Sequence, residues 1–345
     1  LDTADSYYAG PGGSAEASSP HYVERVIAEA LRTFDGDASA VRVCTKGGMQ
    51  RIDSTSRGWR PRACSRLAVR RMIEESHEAL GGKRPLDIFM LHHTDTLTGG
   101  QLEDALQEMQ EAVREGKVLC LGLANATVGN LEVAARLGVE IAAVQNQYSL
   151  WQREAEAPKP TGAASSSRKG VLDWCAARGV AFMPYGVLGG VQCRDGRRSL
   201  RRDFPALLEI AARKQTSPEA LVLAWMRHRC PAIVHIVGAR SRQHVLDAAH
   251  ARRLRLTPQE VDAISELKPS RGPQKTPAVP DELQFVCLEP GSLASASTEL
   301  IGDFKVDLRQ LAEQTGVEIS LDTESDRFIL RGHADKRSAA VQRLE

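Results

Sequence analysis

Leu1 Asp2 Thr3 Ala4 Asp5 Ser6 Tyr7 is the stretch that decides how the rest of this 345-residue chain is read. A single apolar residue is followed at once by a carboxylate, and a phenol stands five positions beyond it. The run reads as the tail of a strand whose beginning lies upstream of Leu1, with Asp2 and Tyr7 at its C-terminal end. From there to about residue 268, short apolar, β-branched runs alternate with amphipathic stretches, the pattern of a parallel sheet or barrel.

The next strand is expected over Val41–Cys44, ending in Thr45 Lys46 Gly47 Gly48, and the one after it over Leu86–Leu91, ending in His92 His93. Val118–Leu123 runs into Ala124 Asn125, Ile141–Val144 into Gln145 through Ser149, and Val180–Met183 into Pro184 Tyr185 Gly186. Ala232–Val237 ends in Gly238 Ala239 Arg240 Ser241. Helices are expected between them over Tyr22–Leu31, Ser65–Leu80, Leu102–Glu115, Asn130–Leu137, Val171–Arg178, Phe204–Lys214, Pro218–Arg229 and Gln243–Ala251. Thr257 and Glu260 form a capping box that opens one more. Every strand thus delivers polar residues just past its C-terminal end, the rim on which a (β/α)₈ barrel builds its site. Seven strands can be read where eight are needed, so the expectation is a (β/α)₈ barrel whose first strand and helix precede Leu1.

Residues 269–280 shift to Pro, Ser, Lys and Gly and read as a linker. Residues 281–345 then form a small α+β module: a strand over Leu283–Leu288, a helical turn over Glu299–Gly302, a helix over Val306–Thr315, strands over Val317–Leu321 and Arg327–Leu330, and a helix over Ala334–Leu344. Pro158–Lys169 reads as a surface insertion.

Lys plus Arg total 45 against 44 for Asp plus Glu, so the chain as a whole has no field to gather nucleic acid or an anionic surface. The seven cysteines are scattered without a CxxC pair, which fits reduced thiols, a cytoplasmic setting and neither a disulfide framework nor a zinc site. No apolar run approaches the ~20 residues that span a bilayer.

A lysine closing a strand is ordinarily a solvated end, and a histidine after an apolar strand is ordinarily a structural one. The combination of Asp2, Tyr7, Lys46 and His92 on three consecutive strand ends carries more. Reducing a carbonyl needs a hydride on carbon and a proton on oxygen. A phenol with its ordinary pKa of ~10 needs a neighbouring cation to serve as the donor, and a carboxylate to hold that cation charged.

These motifs, in order over Leu1 to about Lys268, resemble the aldo-keto reductases: Asp2–Tyr7, Thr45 Lys46 Gly47, Asp87–His92, Gly116 Lys117 Val118 with Leu121–Asn125, Gln145–Ser149, Tyr185–Gly189 and Gly238–Ser241. The resemblance implies an NADPH-dependent carbonyl reductase or alcohol dehydrogenase acting on a small-molecule carbonyl or alcohol. It makes Tyr7 the general acid, Lys46 and Asp2 its tuning pair, and His92 the residue that orients the carbonyl. For the cofactor it implies Asn125 and Gln145 on the nicotinamide carboxamide, Tyr185 stacked on the ring, and Leu188 and Gly189 in the loop near the pyrophosphate. Gly238, Arg240 and His244 fall in the last motif, with His244 where many members carry an arginine on the 2′-phosphate, so NADH is a second candidate beside NADPH. Ala124 replaces the usual serine before the asparagine. The arginines from Arg194 to Arg202 could clamp the pyrophosphate or simply form a solvated basic loop.

The C-terminal module resembles a KH domain. Its GxxG loop reads Gly302 Asp303 Phe304 Lys305, with the second glycine replaced and an acid where phosphate would lie. RNA is therefore a weak candidate partner, and the rival to the enzyme reading is a non-catalytic, cofactor-sensing barrel fused to a KH-like adaptor or RNA-binding module.

Overall fold

The computed structural model describes residues 1–8, 17, 19–51, 59–62, 64–156, 170–190, 198–239, 241–270, 284–287, 300–301, 306–322 and 327–331. The chain divides into two compact units, the first built from 1–147, 153–185 and 232–236 and the second from 148–152, 186–231 and 237–345.

The first unit is a parallel sheet. Its strands β1 (Cys44–Gly47), β4 (Leu86–Leu91), β5 (Val118–Ala124), β6 (Ala143–Gln145) and β7 (Ala181–Phe182) pair in that order. Two further segments extend the ladder. Leu1–Asp5 lies beside β1, with Thr3 N–H donating to the Cys44 carbonyl at 2.8 Å and Cys44 N–H to that of Leu1 at 2.8 Å. Ala232–Ile236 lies beside β7, with Val234 N–H on the Phe182 carbonyl at 2.8 Å. Seven parallel staves therefore follow one another in chain order, as the alternation of runs implies.

The boundaries differ in an informative way. The first full strand begins at Cys44 instead of Val41, because the Val43 N–H is taken by the Asp87 Oδ2 carboxylate at 2.9 Å. Lys46 and Gln145 consequently sit inside strands, not beyond them. A short antiparallel hairpin, β2 (Met49–Arg51) with β3 (Trp59–Pro61), occupies what reads as a polar loop. The helices α1 (Tyr22–Thr33), α2 (Arg66–Ala79), α3 (Gly99–Arg114), α4 (Val128–Arg136) and α5 (Val171–Arg178) start near their expected positions. Thr98 with Gln101 and Thr127 with Asn130 close capping boxes at the starts of α3 and α4. Met90, Cys44, Ala124, Ala143 and Met183 form a buried cluster on the sheet, covered in part by Ile88, Ala181 and Ile236.

The second unit holds helices over Leu200–Asp203, Pro205–Arg213, Pro218–Arg229, Arg242–Arg253 and Pro258–Ser265. Trp225 is its buried anchor, stacked on Tyr148 at 5.8 Å and donating its indole N–H to Ser265 Oγ at 2.9 Å. The Thr257–Glu260 capping box forms as expected. Towards the C-terminus Glu318–Asp322, Arg327–Arg331 and Gln284–Cys287 form a three-stranded antiparallel sheet in that order. Leu300–Ile301 is extended and pairs with Val306–Asp307, in place of the helical turn expected there, and the following helix covers Leu308–Thr315.

Several expectations fall outside the described residues: most of the loop 9–19, the insertion 158–169, the arginines at 194 and 197, Arg240, most of the linker 269–280, the Gly302–Lys305 loop and the helix 334–344. Among the described residues, no helix is long and apolar enough to cross a membrane and no group of His, Cys, Asp or Glu is arranged to hold a metal ion.

Candidate active site

The ends of neighbouring parallel staves bring Asp2, Tyr7, Lys46, His92, Asn125, Gln145 and Tyr185 together within the first unit. Lys46 is the centre. Its side chain is wholly buried, and its ammonium donates to both oxygens of Asp2 at 2.9 Å and to the Thr3 carbonyl at 2.7 Å. An unpaired ammonium would not persist in such a place, since removing it from water is far too costly without matched acceptors. Asp2 is held in turn by Gln145, whose Nε2 donates to Oδ1 at 2.8 Å.

The Tyr7 ring stands over this pair, its centroid 4.9 Å from Lys46 Nζ, and its hydroxyl is hydrogen-bonded to Lys46. Tyr7 also meets the His92 ring edge-to-face at 5.6 Å. Burial raises the Tyr7 pKa, the Lys46 charge opposes the rise, and Asp2 adds to it; the balance lies above the ordinary phenol value. The cation therefore moderates burial without overcoming it, and the phenol is fully protonated at neutral pH. For Lys46, burial alone would lower the pKa, but Tyr7 and Asp2 outweigh it and keep the ammonium charged. Burial, reinforced by Lys46 and His93, pushes His92 down to about 3, so its imidazole is neutral. Its Nδ1 is buried with no hydrogen-bond partner among the described residues.

Asn125 closes the group. It adopts a left-handed backbone (φ 54°), donates from Nδ2 to the His92 carbonyl at 2.8 Å and accepts from the Tyr185 hydroxyl at 2.7 Å. Burial, with smaller contributions from Tyr7 and Asp95, raises the Tyr185 hydroxyl to about 12. The amides of Asn125 and Gln145 can each make more hydrogen bonds than these, and Tyr185 is only partly buried. That donor set, two amides beside an aromatic face, fits the carboxamide and ring of a nicotinamide.

The remaining cofactor candidates lie in the second unit and are described within it. Gly186, Leu188, Gly189 and Gly190 form a tight turn in which Gly189 N–H donates to the Gly186 carbonyl at 2.9 Å. Gly189 has φ 97°, a left-handed conformation that glycine adopts without the steric penalty a Cβ would bring. Gly238 has open space where a side chain would stand. His244 is exposed in the first turn of the helix Arg242–Arg253, its N–H capped by Ser241 Oγ at 3.3 Å.

Two features of the site escape reading from sequence. The Thr3 carbonyl and Gln145 both complete the Lys46–Asp2 pair, and no side-chain pattern announces a carbonyl ligand. Behind Tyr7 lies a further polar group in which buried Asp5, Glu24 and Thr45 meet the half-buried His21 and Arg62. Its one sequence signal is Glu24, an acid on the first turn of a helix whose N-terminus faces the loop.

Several known proteins are similar to this chain in sequence or fold. Pyridoxine 4-dehydrogenase of Escherichia coli (strain K12) is 26% identical over 271 residues, covering 76% of this chain and 80% of that protein. An aldo/keto reductase from Klebsiella pneumoniae, solved in complex with NADP and acetate, superposes with a TM-score of 0.57 at 22% identity, covering 80% of this chain and 82% of that one. A thermostable aldo-keto reductase solved with the inhibitor epalrestat superposes with a TM-score of 0.58 at 22% identity, over 77% of this chain and 81% of that one. Both structures share the fold. The family model of the Aldo/keto reductase family matches residues 1–269, most of the chain, and the protein belongs to that family.

Proposed function

We propose that this protein is an NADPH-dependent oxidoreductase that reduces an aldehyde or ketone to an alcohol, or runs the reverse, with Tyr7 as the proton donor. The observation that carries the reading is the fully buried Lys46 ammonium, chelated by Asp2 and in contact with Tyr7. A nicotinamide held by Asn125, Gln145 and Tyr185 supplies the hydride when bound. The chain's own residues handle the oxygen. His92 donates from Nε2 to the carbonyl oxygen, which orients the substrate and polarises the bond. As negative charge gathers on that oxygen, the Tyr7 hydroxyl passes it a proton, and the phenolate left behind is stabilised by the Lys46 charge. Asp2 keeps Lys46 charged and in place throughout.

The glycine turn at Gly186–Gly190 is assigned to the pyrophosphate, and Gly238, Arg240 and His244 to the adenosine end. With His244 in place of an arginine, NADH stands as a second cofactor candidate beside NADPH. Residues 281–345 are read as a degenerate KH-like module used for packing or protein contact; their antiparallel strands and the helix Leu308–Thr315 are compatible with that, and the acid at Asp303 argues against RNA.

The test is Tyr7→Phe, assayed on a generic aromatic aldehyde. Turnover should fall about 10²–10⁴-fold, the usual worth of a positioned general acid, while NADPH affinity by fluorescence titration stays within about twofold. Wild-type turnover in this variant would remove Tyr7 from the role.

A further inference from the structure

The loop that carries Tyr7 is gripped from behind by charges the chemistry above does not use. Asp5 is 1% exposed, and its backbone is engaged on both sides: its N–H donates to the Lys46 carbonyl at 3.0 Å, and its carbonyl accepts from His21 N–H at 2.7 Å. Its Oδ2 accepts from Arg62 Nη1 at 3.1 Å. Arg62 directly follows the β2–β3 hairpin, and its N–H donates to the Gly48 carbonyl at 2.8 Å. That hairpin leaves β1 just beyond Lys46. The Asp5–Arg62 pair therefore joins the loop bearing Tyr7 to the backbone immediately following Lys46.

We infer that Asp5 and Arg62 are positioning residues, whose ion pair sets the depth at which Tyr7 stands over Lys46. The inference rests on the reductase reading of the same site. Tyr7 is two residues from Asp5 and its N–H donates to the Ala4 carbonyl at 3.0 Å, so rotation at Asp5 is carried directly to the phenol. An ångström of misplacement in such a contact is worth about 10²-fold in rate.

The pair is also sensitive to pH. Asp5 is faced by Arg62 and Cys64 from the hairpin side, by His21 and Glu24 from α1, and by Ser6 in its own loop. Glu75 of α2 lies 3.9 Å from Arg62 Nη2 and 3.6 Å from His21 Nε2. Burial pushes Asp5 up to about 6; Arg62 and His21 resist the rise and Glu24 adds to it. The sign for stability follows. A carboxyl raised above its unfolded value stabilises the fold at low pH, and that contribution is lost as pH rises through about 6. At neutral pH the Asp5 charge is thus retained at a cost to stability, as expected of a charge that serves geometry. Neutralising it should leave the melting temperature at or above that of the wild type.

The experiment compares wild type, Asp5→Asn, Arg62→Met and Arg62→Lys in the full chain, by peptide hydrogen exchange, thermal melting and steady-state kinetics. In Arg62→Met, amides of the Asp2–Tyr8 peptide should exchange about tenfold faster while those of Leu86–Leu91 are unchanged, as for a local opening. Its kcat should fall about tenfold with KM within twofold, and Arg62→Lys should recover part of the loss. Asp5→Asn, which preserves shape and guards against a misfolded Arg62→Met, should abolish an acid limb near pH 6 in the wild-type kcat profile without lowering the melting temperature. Unchanged exchange in the Asp2–Tyr8 peptide would overturn the inference. So would faster exchange throughout the chain with a lower melting temperature in both Asp5→Asn and Arg62→Met, since that is the mark of a merely structural pair. If the wild type turns over no carbonyl, the reductase reading fails, and the exchange measurement still decides whether the Asp5–Arg62 pair holds the Tyr7 loop in place.

Discussion

Lys46 is the residue on which the site depends, because a buried ammonium exists only where its acceptors already stand. Removing the charge by Lys46→Met leaves the Asp2 carboxylate without its cation, facing only the neutral Gln145 amide and Cys44 thiol. The expected cost is about 3–5 kcal/mol of stability, the usual penalty for orphaning a buried charge, read by urea denaturation, together with loss of turnover. A variant as stable as the wild type would mean that Asp2 is not charged in the fold. The directions of the neighbouring pKa values also make a statement about rate. Tyr7 and Lys46 are raised and His92 is held near 3, so none of the three changes charge through the neutral range. On the alkaline side the reduction profile should therefore hold level from neutrality up to the ordinary phenol range and begin to fall beyond it, measured with one aldehyde at saturating NADPH. Asp2, Lys46 and His92 were legible in the sequence as polar residues at the ends of apolar runs, and Tyr7 as the phenol five positions beyond Asp2. The Thr3 carbonyl was not, since any residue type carries one.

At the scale of elements, spacing between staves is set by what the strands leave out. A Cβ on Gly122 of β5 would meet Met90 Cγ at 2.7 Å and the Ala143 carbonyl oxygen at 2.8 Å. The methionine could shift, but the carbonyl belongs to the paired strand and cannot. Gly122→Ala should therefore cost roughly 1–3 kcal/mol by overpacking, measured by chemical denaturation; a loss within error of zero would show that β6 can move away. The strands themselves were readable from their apolar runs to within a few residues. The hairpin of Met49–Arg51 and Trp59–Pro61 was hidden because Gln50, Arg51, Arg60 and Pro61 show no alternation. Its pairing is nevertheless what delivers Arg62 to Asp5.

For the whole molecule, acid stability offers a further check. His92 is neutral in the fold down to about 3, whereas in the unfolded chain it protonates near 6.5. The stability it contributes is present above about 6.5 and is lost as pH falls towards 3. His92→Gln should consequently lose less stability than the wild type between neutral and acid pH, compared by urea midpoints; an identical loss would mean that the imidazole is solvated. What the sequence by itself determined is the order of the parallel staves and the placement of polar residues at their ends. Both are properties of consecutive residues, read from local periodicity. Only the tertiary structure decided which protons those residues hold, that Lys46 is wholly buried, and that Asp5 meets Arg62 across 57 positions of chain. Burial and charge pairing depend on distances through space, and residues far apart in the chain carry no local sign that they meet.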